Sequence, residues 1–387
     1  MKKEIIEKIL EVFIRELKLE GGIDIEKSLW QKPGRGVGLL PDIRYMNTLV
    51  DILYRYGKKY NKLDICSLAD AQVYFVSDIV LQEWPRDVTV WLGTALECIG
   101  FYFRHHGFID EKLKENVYKI IERARKRKIE IKINGLTYSH FPCGYGHGNY
   151  CKDAGWTNDL GIFGSGLVFA YEITKDESIL NDAISFSEYF CQPYKDKKGS
   201  LGKDGYWYCG TWREDIGCWV IGPDDYRGFE SIDVAGNETS WIFSTYVCID
   251  YLTHLYMYKK DKRYIDLPLK AIEWTFRECQ FEDGGVGICG RDDKWLGATG
   301  CAVFQALAVK RIIGEKFPES LLKKVKKSYK YLCEKLEDVK IENYGVEWVN
   351  HKTLIDPLVN VANLFLLALR GYIEGEELEN ERRISKT

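Results

Sequence analysis

Apolar residues recur at helical spacing in twelve stretches, roughly 2–18, 42–57, 62–83, 87–105, 110–127, 159–173, 176–192, 238–258, 262–279, 298–314, 318–336 and 356–372. Two kinds of stretch alternate. Residues 159–173, DLGIFGSGLVFAYEI, are apolar nearly all round, which predicts a buried helix. Gly161, Gly164 and Gly166 are expected to thin one side of it for close packing. The stretch that follows, ESILNDAISFSEYF, gathers Ile179, Leu180, Ala183, Ile184, Phe186, Tyr189 and Phe190 on one face and polar residues on the other. It predicts a helix that lies outside the first. The same contrast recurs at 238–258 with 262–279, and at 298–314 with 318–336.

The connections alternate as well. Only a few residues follow positions 57, 105, 173, 258 and 314, whereas the segments before 42, 159, 238, 298 and 356 are long and carry Gly, Trp, Tyr and charged residues. Helices that alternate in direction bring every long segment to one face, which is then the working face. The hinges YRYGKKY (54–60), YEITKDESIL (171–180) and YMYKKDKRYI (256–265) share an aromatic residue, a tight polar turn and a new helix, a repeat at the level of the hairpin. Asp356-Pro357 supplies an N-cap and a first-turn proline to the last helix. If that helix pairs with the first, six hairpins close into a ring. The reading is an all-α (α/α)6 toroid occupying a single domain, 1–387, with its long loops on one face.

The run GW-TNDLG-x-FGSGL-x-x-AYEITKD-x-x-x-L-x-x-A, starting at Gly155, resembles the hairpin of the six-hairpin glycosidases. Gln280-x-x-Asp283-Gly284-Gly285-Val286-Gly287, followed by Trp295 and Thr299, is similar to the repeat of the terpenoid-cyclase and prenyltransferase toroids. That repeat has Trp where Val286 stands, and the chain has no Asp-x-Asp-Asp acid motif. The likeness covers most of residues 150–315. It implies the toroid fold and, through the first motif, carbohydrate chemistry.

Charge and composition narrow the classes. The net charge is -3 and the pI about 6.2, without the clustered basic surface of a nucleic-acid binder. The one basic run, Arg123 to Lys128, ends a helix, where cations suit the helix dipole. The N-terminal MKKEIIEKILEVFIRELKLEGG is amphipathic and lacks the unbroken apolar stretch of a signal peptide. No segment reads as the ~20 apolar residues of a membrane span. The 12 cysteines then suit a reducing cytoplasm and free thiols, so the expected location is cytoplasmic.

Eight of the 11 Trp fall on the long segments or their edges: Trp30, Trp84, Trp156, Trp207, Trp212, Trp219, Trp295 and Trp348. Flat aromatic faces beside carboxylates suit sugar rings; long loops also use Trp to pack on themselves. Glycoside hydrolysis needs two carboxyls flanking the bond. Asp159 and Glu238 each follow a Gly-containing loop and precede a buried helix, and are the expected catalytic pair. Asp233, Asp283, Asp292 and Glu347 are rivals, whereas Asp87 and Asp356 read as helix caps. His147, Trp156, Asn158, Trp207, Arg213, Asp292, Trp295, Glu347 and Trp348 are the expected substrate-binding residues. A lyase would instead use His147, Tyr145 or Tyr206 as base and Arg213 to neutralise a uronate; a sugar epimerase suits the same fold. His140, Cys143, His147 and Cys151 have ligand-like spacing, but no Cys-x-x-Cys is present, and neither a metal nor a cofactor is expected. Asp224-Asp225, beside Pro223 and Gly228, reads as a turn, and Gly284-Gly285-Val286-Gly287 lacks the strand-to-helix context of a phosphate loop.

The leading expectation is therefore a carbohydrate-active enzyme, a hydrolase or a lyase, using Asp/Glu acid–base chemistry in an aromatic-lined cleft on a small-molecule or oligosaccharide substrate. No nucleic-acid or membrane partner is expected. The alternatives are a terpenoid-cyclase-like or prenyltransferase-like toroid and a non-catalytic toroid that binds a glycan or a partner.

Overall fold

A computed structural model of the chain describes residues 6–7, 10–11, 14, 46–82, 89–133, 135–142, 157–193, 199–202, 205–207, 210–213, 218–221, 242–287, 291, 294–337, 340–342, 345–347 and 366–376. Its helices are α1 (Met46–Tyr60), α2 (Leu63–Ile79), α3 (Thr89–His106), α4 (Glu111–Arg125), α5 (Thr157–Thr174), α6 (Glu177–Cys191), α7 (Ile242–Tyr256), α8 (Arg263–Trp274), α9 (Leu296–Ile313) and α10 (Glu319–Glu337). Residues 366–376 form α11. Contacts divide the chain into two compact units, Leu53–Thr275, and Met1–Ile52 together with Phe276–Thr387.

Within Leu53–Thr275 the hairpins α3–α4, α5–α6 and α7–α8 follow one another. Each pairs a helix buried along most of its length with one buried on a single face. From Thr89 to Gly100 every residue of α3 is buried, whereas α4 buries Leu113, Asn116, Val117, Ile120, Ile121 and Ala124 and turns its Lys, Arg and Glu to solvent. The turns stop and restart the helices abruptly. Asp110 accepts a hydrogen bond from the Leu113 N–H at 2.9 Å, and Asp176 accepts from Ser178 N–H at 2.9 Å, capping α4 and α6.

The buried helices are one another's neighbours. A Cβ on Gly93 would stand 2.5 Å from the Phe163 Cα, and one on Gly166 2.8 Å from the Gly93 carbonyl oxygen. Side chains on α5 likewise have no room at Gly161, against Val247, or at Gly164, against Tyr251. The three α5 glycines therefore serve two sides and not one: Gly166 meets α3, while Gly161 and Gly164 meet α7. Partners advance together along the chain, from Gly93 with Phe163 to Gly100 with Phe169, and from Gly161 with Val247 to Gly164 with Tyr251. Hence α3, α5 and α7 run parallel, which consecutive antiparallel hairpins require.

In the other unit α9 packs on α10 and α11. Gly300 and Gly371 face each other, and a Cβ on Gly371 would lie 2.5 Å from the Gly300 Cα. By length and composition the segment Leu296–Lys316 would pass as a membrane span. It is 72% buried within the fold, and that burial accounts for its apolar sequence.

Four two-stranded antiparallel hairpins were not foreseen. Strands β1 (Ile129–Ile133) and β2 (Leu136–His140) pair, as do β3 (Gly210–Arg213) with β4 (Cys218–Ile221), β5 (Val286–Gly287) with β6 (Lys294–Trp295), and β7 (Lys340–Glu342) with β8 (Gly345–Glu347). All four lie in the long segments. The first carried a legible signal, Asn134-Gly135 between the alternating runs IEIKI and LTYSH, and Gly135 has the positive φ, 81°, of such a turn. The others are too short for an alternating pattern to show.

Candidate active site

Because α3, α5 and α7 are parallel and in step, their first turns lie at one level. One turn before the Gly93–Phe163 contact stand Thr89 and Asp159, and Thr245 precedes Val247 by the same two residues by which Asp159 precedes its contact, Gly161. All three side chains are buried, Asp159 being only 1% exposed. Asp159 sits in the first turn of α5, where backbone N–H groups and the helix dipole favour a carboxylate. Two hydroxyl contacts hold this level. Thr89 Oγ1 donates to the Pro142 carbonyl, tying α3 to the end of the β1–β2 hairpin. Thr157 Oγ1 lies 3.2 Å from the Tyr189 hydroxyl, tying the start of α5 to α6. Asp159 is thus a buried carboxyl on a pinned helix start.

The expected partner carboxyl, Glu238, lies outside the described residues. So do His147, Trp156, Asp292 and Trp348, the rival Asp233, and the side chain of Asn158, whose backbone is helical. Arg213 and Glu347 are placed by backbone only, opposite Cys218 in β3–β4 and opposite Lys340 in β7–β8. In β3–β4 Trp212 and Trp219 are directly opposed.

Trp207 corrects an expectation. It is fully buried, and its indole N–H donates to the Phe190 carbonyl oxygen at 2.8 Å. With its edge satisfied and its faces enclosed, it packs the core and offers no platform to a sugar. Tyr206 beside it lies against Trp274, ring centroids 4.7 Å apart. Trp295, in the other unit, is partly exposed. It precedes α9, pairs with Val286, and its carbonyl accepts from Thr299 Oγ1 at 2.8 Å.

Asp283 is a turn residue. Its Oδ1 accepts from the Gly285 N–H at 3.1 Å and its Oδ2 pairs with Lys294. Burial pushes its carboxyl up, but Lys294 and the Gly285 N–H outweigh this and hold it below the usual range. The Gln280–Gly287 motif docks on its neighbours: Gln280 Nε2 donates to the Lys324 carbonyl and Ser328 Oγ, Ser328 Oγ donates to the Gly284 carbonyl, and the Val286 N–H donates to Thr299 Oγ1. These bonds give it a packing role.

His140 is fully buried between Tyr189 and Phe186, at ring distances of 5.2 and 5.9 Å. Neither ring nitrogen has a hydrogen-bond partner among the described residues. Burial lowers its pKa to about 3, so it is neutral. Cys143, His147 and Cys151 lie outside the described residues, among which no three His, Cys, Asp or Glu side chains converge to hold a metal. Cys66, Cys98, Cys191, Cys248, Cys279, Cys301 and Cys333 are free thiols, all but Cys333 buried.

Sequence reading passed over the buried carboxyls Asp51, Glu97, Asp182 and Glu374. Their signal was an acid interrupting an apolar run, as Glu97 does in LGTALECIGF.

No protein-family model and no curated protein sequence matches the chain. Solved structures do. The GH76A α-1,6-mannanase from Salegentibacter sp. HEL1_6 superposes with a TM-score of 0.63 at 10% identity, over 96% of this chain and 99% of that one. The unsaturated glucuronyl hydrolase from Bacillus sp. GL1 gives 0.64 at 12% identity, over 96% and 99%. An unsaturated glucuronyl hydrolase specific for heparin gives 0.63 at 15% identity, over 97% and 99%. The chain therefore has the all-α, (α/α)6 toroid fold of the six-hairpin glycosidases.

Proposed function

We propose that the protein is a carbohydrate-active hydrolase that cleaves a glycosidic bond by carboxyl chemistry, with Asp159 as one of its two catalytic carboxyls. The observation that carries this reading is Asp159 itself: a buried carboxyl in the first turn of a buried helix, in a fold shared with glycosidases along nearly its full length. Carboxylates also matter in the neighbours. The mannanase is described as inactive when two consecutive aspartates are replaced, and that variant was captured with α-1,6-mannotriose.

Glu238, at the entry to α7, is the proposed partner. One carboxyl protonates the leaving oxygen while the other acts as base or nucleophile, and their separation sets the stereochemical outcome. His147, Trp156, Asn158, Arg213, Asp292, Trp295, Glu347 and Trp348 remain the proposed substrate contacts, and Trp207 leaves that set. The test is a screen of the folded protein against reducing-end-labelled α-1,6-mannooligosaccharides and unsaturated glucuronyl disaccharides, with other oligosaccharides alongside. Hydrolysis of at least one is expected. A folded protein that turns over none of them overturns the reading.

A further inference from the structure

The opposite ends of α3, α5 and α7 hold a second cluster, at their last turns. Glu172 of α5 receives a forked pair of hydrogen bonds from Arg104 of α3, Nε to Oε1 at 3.0 Å and Nη2 to Oε2 at 2.6 Å. The same Nη2 lies 2.7 Å from Nε2 of His254 on α7. Two of the groups also rest on Phe169, whose ring has the Arg104 guanidinium 4.3 Å and the His254 ring 4.5 Å away. One arginine thereby joins three successive buried helices.

Proton counting settles the state of His254. A guanidinium only donates, so Nε2, at 2.7 Å, accepts, and the imidazole carries its proton on Nδ1. Glu172 Oε2, 3.2 Å from the same Nε2, is then a neighbour and not a hydrogen-bond acceptor from it. A proton added to Nε2 would point at the arginine and break that bond.

We propose that His254 is a proton-gated latch: neutral, it accepts from Arg104 and locks α3, α5 and α7 together; protonated, it takes Glu172 for itself and releases Arg104. The release has somewhere to go, because the Arg104 side chain is 44% exposed, against 10% for His254 and 16% for Glu172. Among the described residues, the charged and titratable groups facing the latch are Arg104 from α3 and Glu172 from α5, with Tyr258 just beyond α7 bonded to Glu172. Lys175 lies one step further out, over the rings of Tyr171 and Tyr258. Burial first, and then the Arg104 charge, disfavour the imidazolium; Glu172 favours it but is already engaged by the arginine. His254 is held down at about 4 and Glu172 at about 2.

The sign of the pH effect follows. A histidine whose folded pKa is lowered takes up its proton more readily when unfolded, so stability is lost as pH falls from about 6.5 toward 4. The direct test is deuterium exchange at the imidazole C2 positions of the unaltered protein, read by mass spectrometry across pH. The peptide holding His254 is expected to titrate well below 6.5; a midpoint at or above that value overturns the latch. The second test compares melting temperature against pH for the protein and for His254→Gln, whose amide oxygen still accepts from Arg104 but does not titrate. The variant is expected to match the parent near neutrality and lose visibly less stability on acidification. An unchanged acid slope overturns the proposal, and neither test depends on any enzymatic activity. If the variant does not fold, the exchange measurement decides alone.

Discussion

At the scale of single residues, burial alone does not distinguish what a polar group does. His140 and Asp159 are both buried polar residues close to the start of α5, yet their surroundings differ. His140 lies among aromatic rings with neither nitrogen bonded among the described residues. An unsatisfied buried polar group costs about 1–3 kcal/mol. His140→Leu is therefore expected to leave stability unchanged or raise it by about 1 kcal/mol. Denaturant titration checks this, and a loss above about 2 kcal/mol would show that the imidazole makes a bond it needs. Tyr189→Phe removes the hydroxyl that meets Thr157 and should cost about 1 kcal/mol, with a larger effect on any activity that depends on Asp159. The place of Asp159 at the start of α5 was legible because the apolar run of that helix begins there. The burial of Trp207 was not, since a tryptophan in a long segment reads alike whether it faces solvent or core.

At the scale of elements, the alternation of all-round apolar and one-sided stretches foretold the hairpins. The described ends of α2 to α10 fall within five residues of the expected ones. Helix period survives in sequence because each buried face is continuous. The four short strand pairs and the two-sided use of the α5 glycines did not survive, because each depends on a neighbour contributed from elsewhere in the chain. The close approach of α3 and α5 gives a sharp prediction. Gly93→Ala and Gly166→Ala each drive a methyl into backbone of the other helix, with no flexible side chain to give way. Each should destabilise by about 1–3 kcal/mol, whereas Gly107→Ala, where nothing lies within 4 Å, should cost only the strain of its positive φ. Equal losses at all three positions would mean that α3 and α5 do not touch as described. Loss of the cap in Asp110→Ala should cost about 1 kcal/mol, measured the same way.

At the scale of the molecule, α3, α5 and α7 have chemically distinct ends. Asp159 and Glu172, thirteen residues apart on α5, are separated by about 20 Å along the helix axis. One end holds the buried Asp159; the other is closed by Arg104, Glu172 and His254. His140 and His254 are held neutral by burial, at about 3 and about 4, and Glu172 is held ionised, at about 2. All three make the unfolded chain bind more protons than the folded one in acid. Melting temperature should therefore be highest above about 6.5, decline as the histidine contribution is lost, and fall further below 4.5 as the Glu172 contribution goes. A melting temperature that rises on acidification through this range would contradict the assigned charge states. The hairpin architecture was readable from the order of short and long connections. The substrate was not, because the composition of the long segments suggests a chemistry but names no sugar.

The central claim is that Asp159 performs the chemistry, and it is tested most directly by kcat on a hydrolysed oligosaccharide for the protein and for Asp159→Asn, with both melting temperatures recorded. The account predicts a fall in kcat of about 10²-fold or more in a variant that melts within a few degrees of the parent. A variant equally well folded and turning over substrate at the parent rate would contradict it.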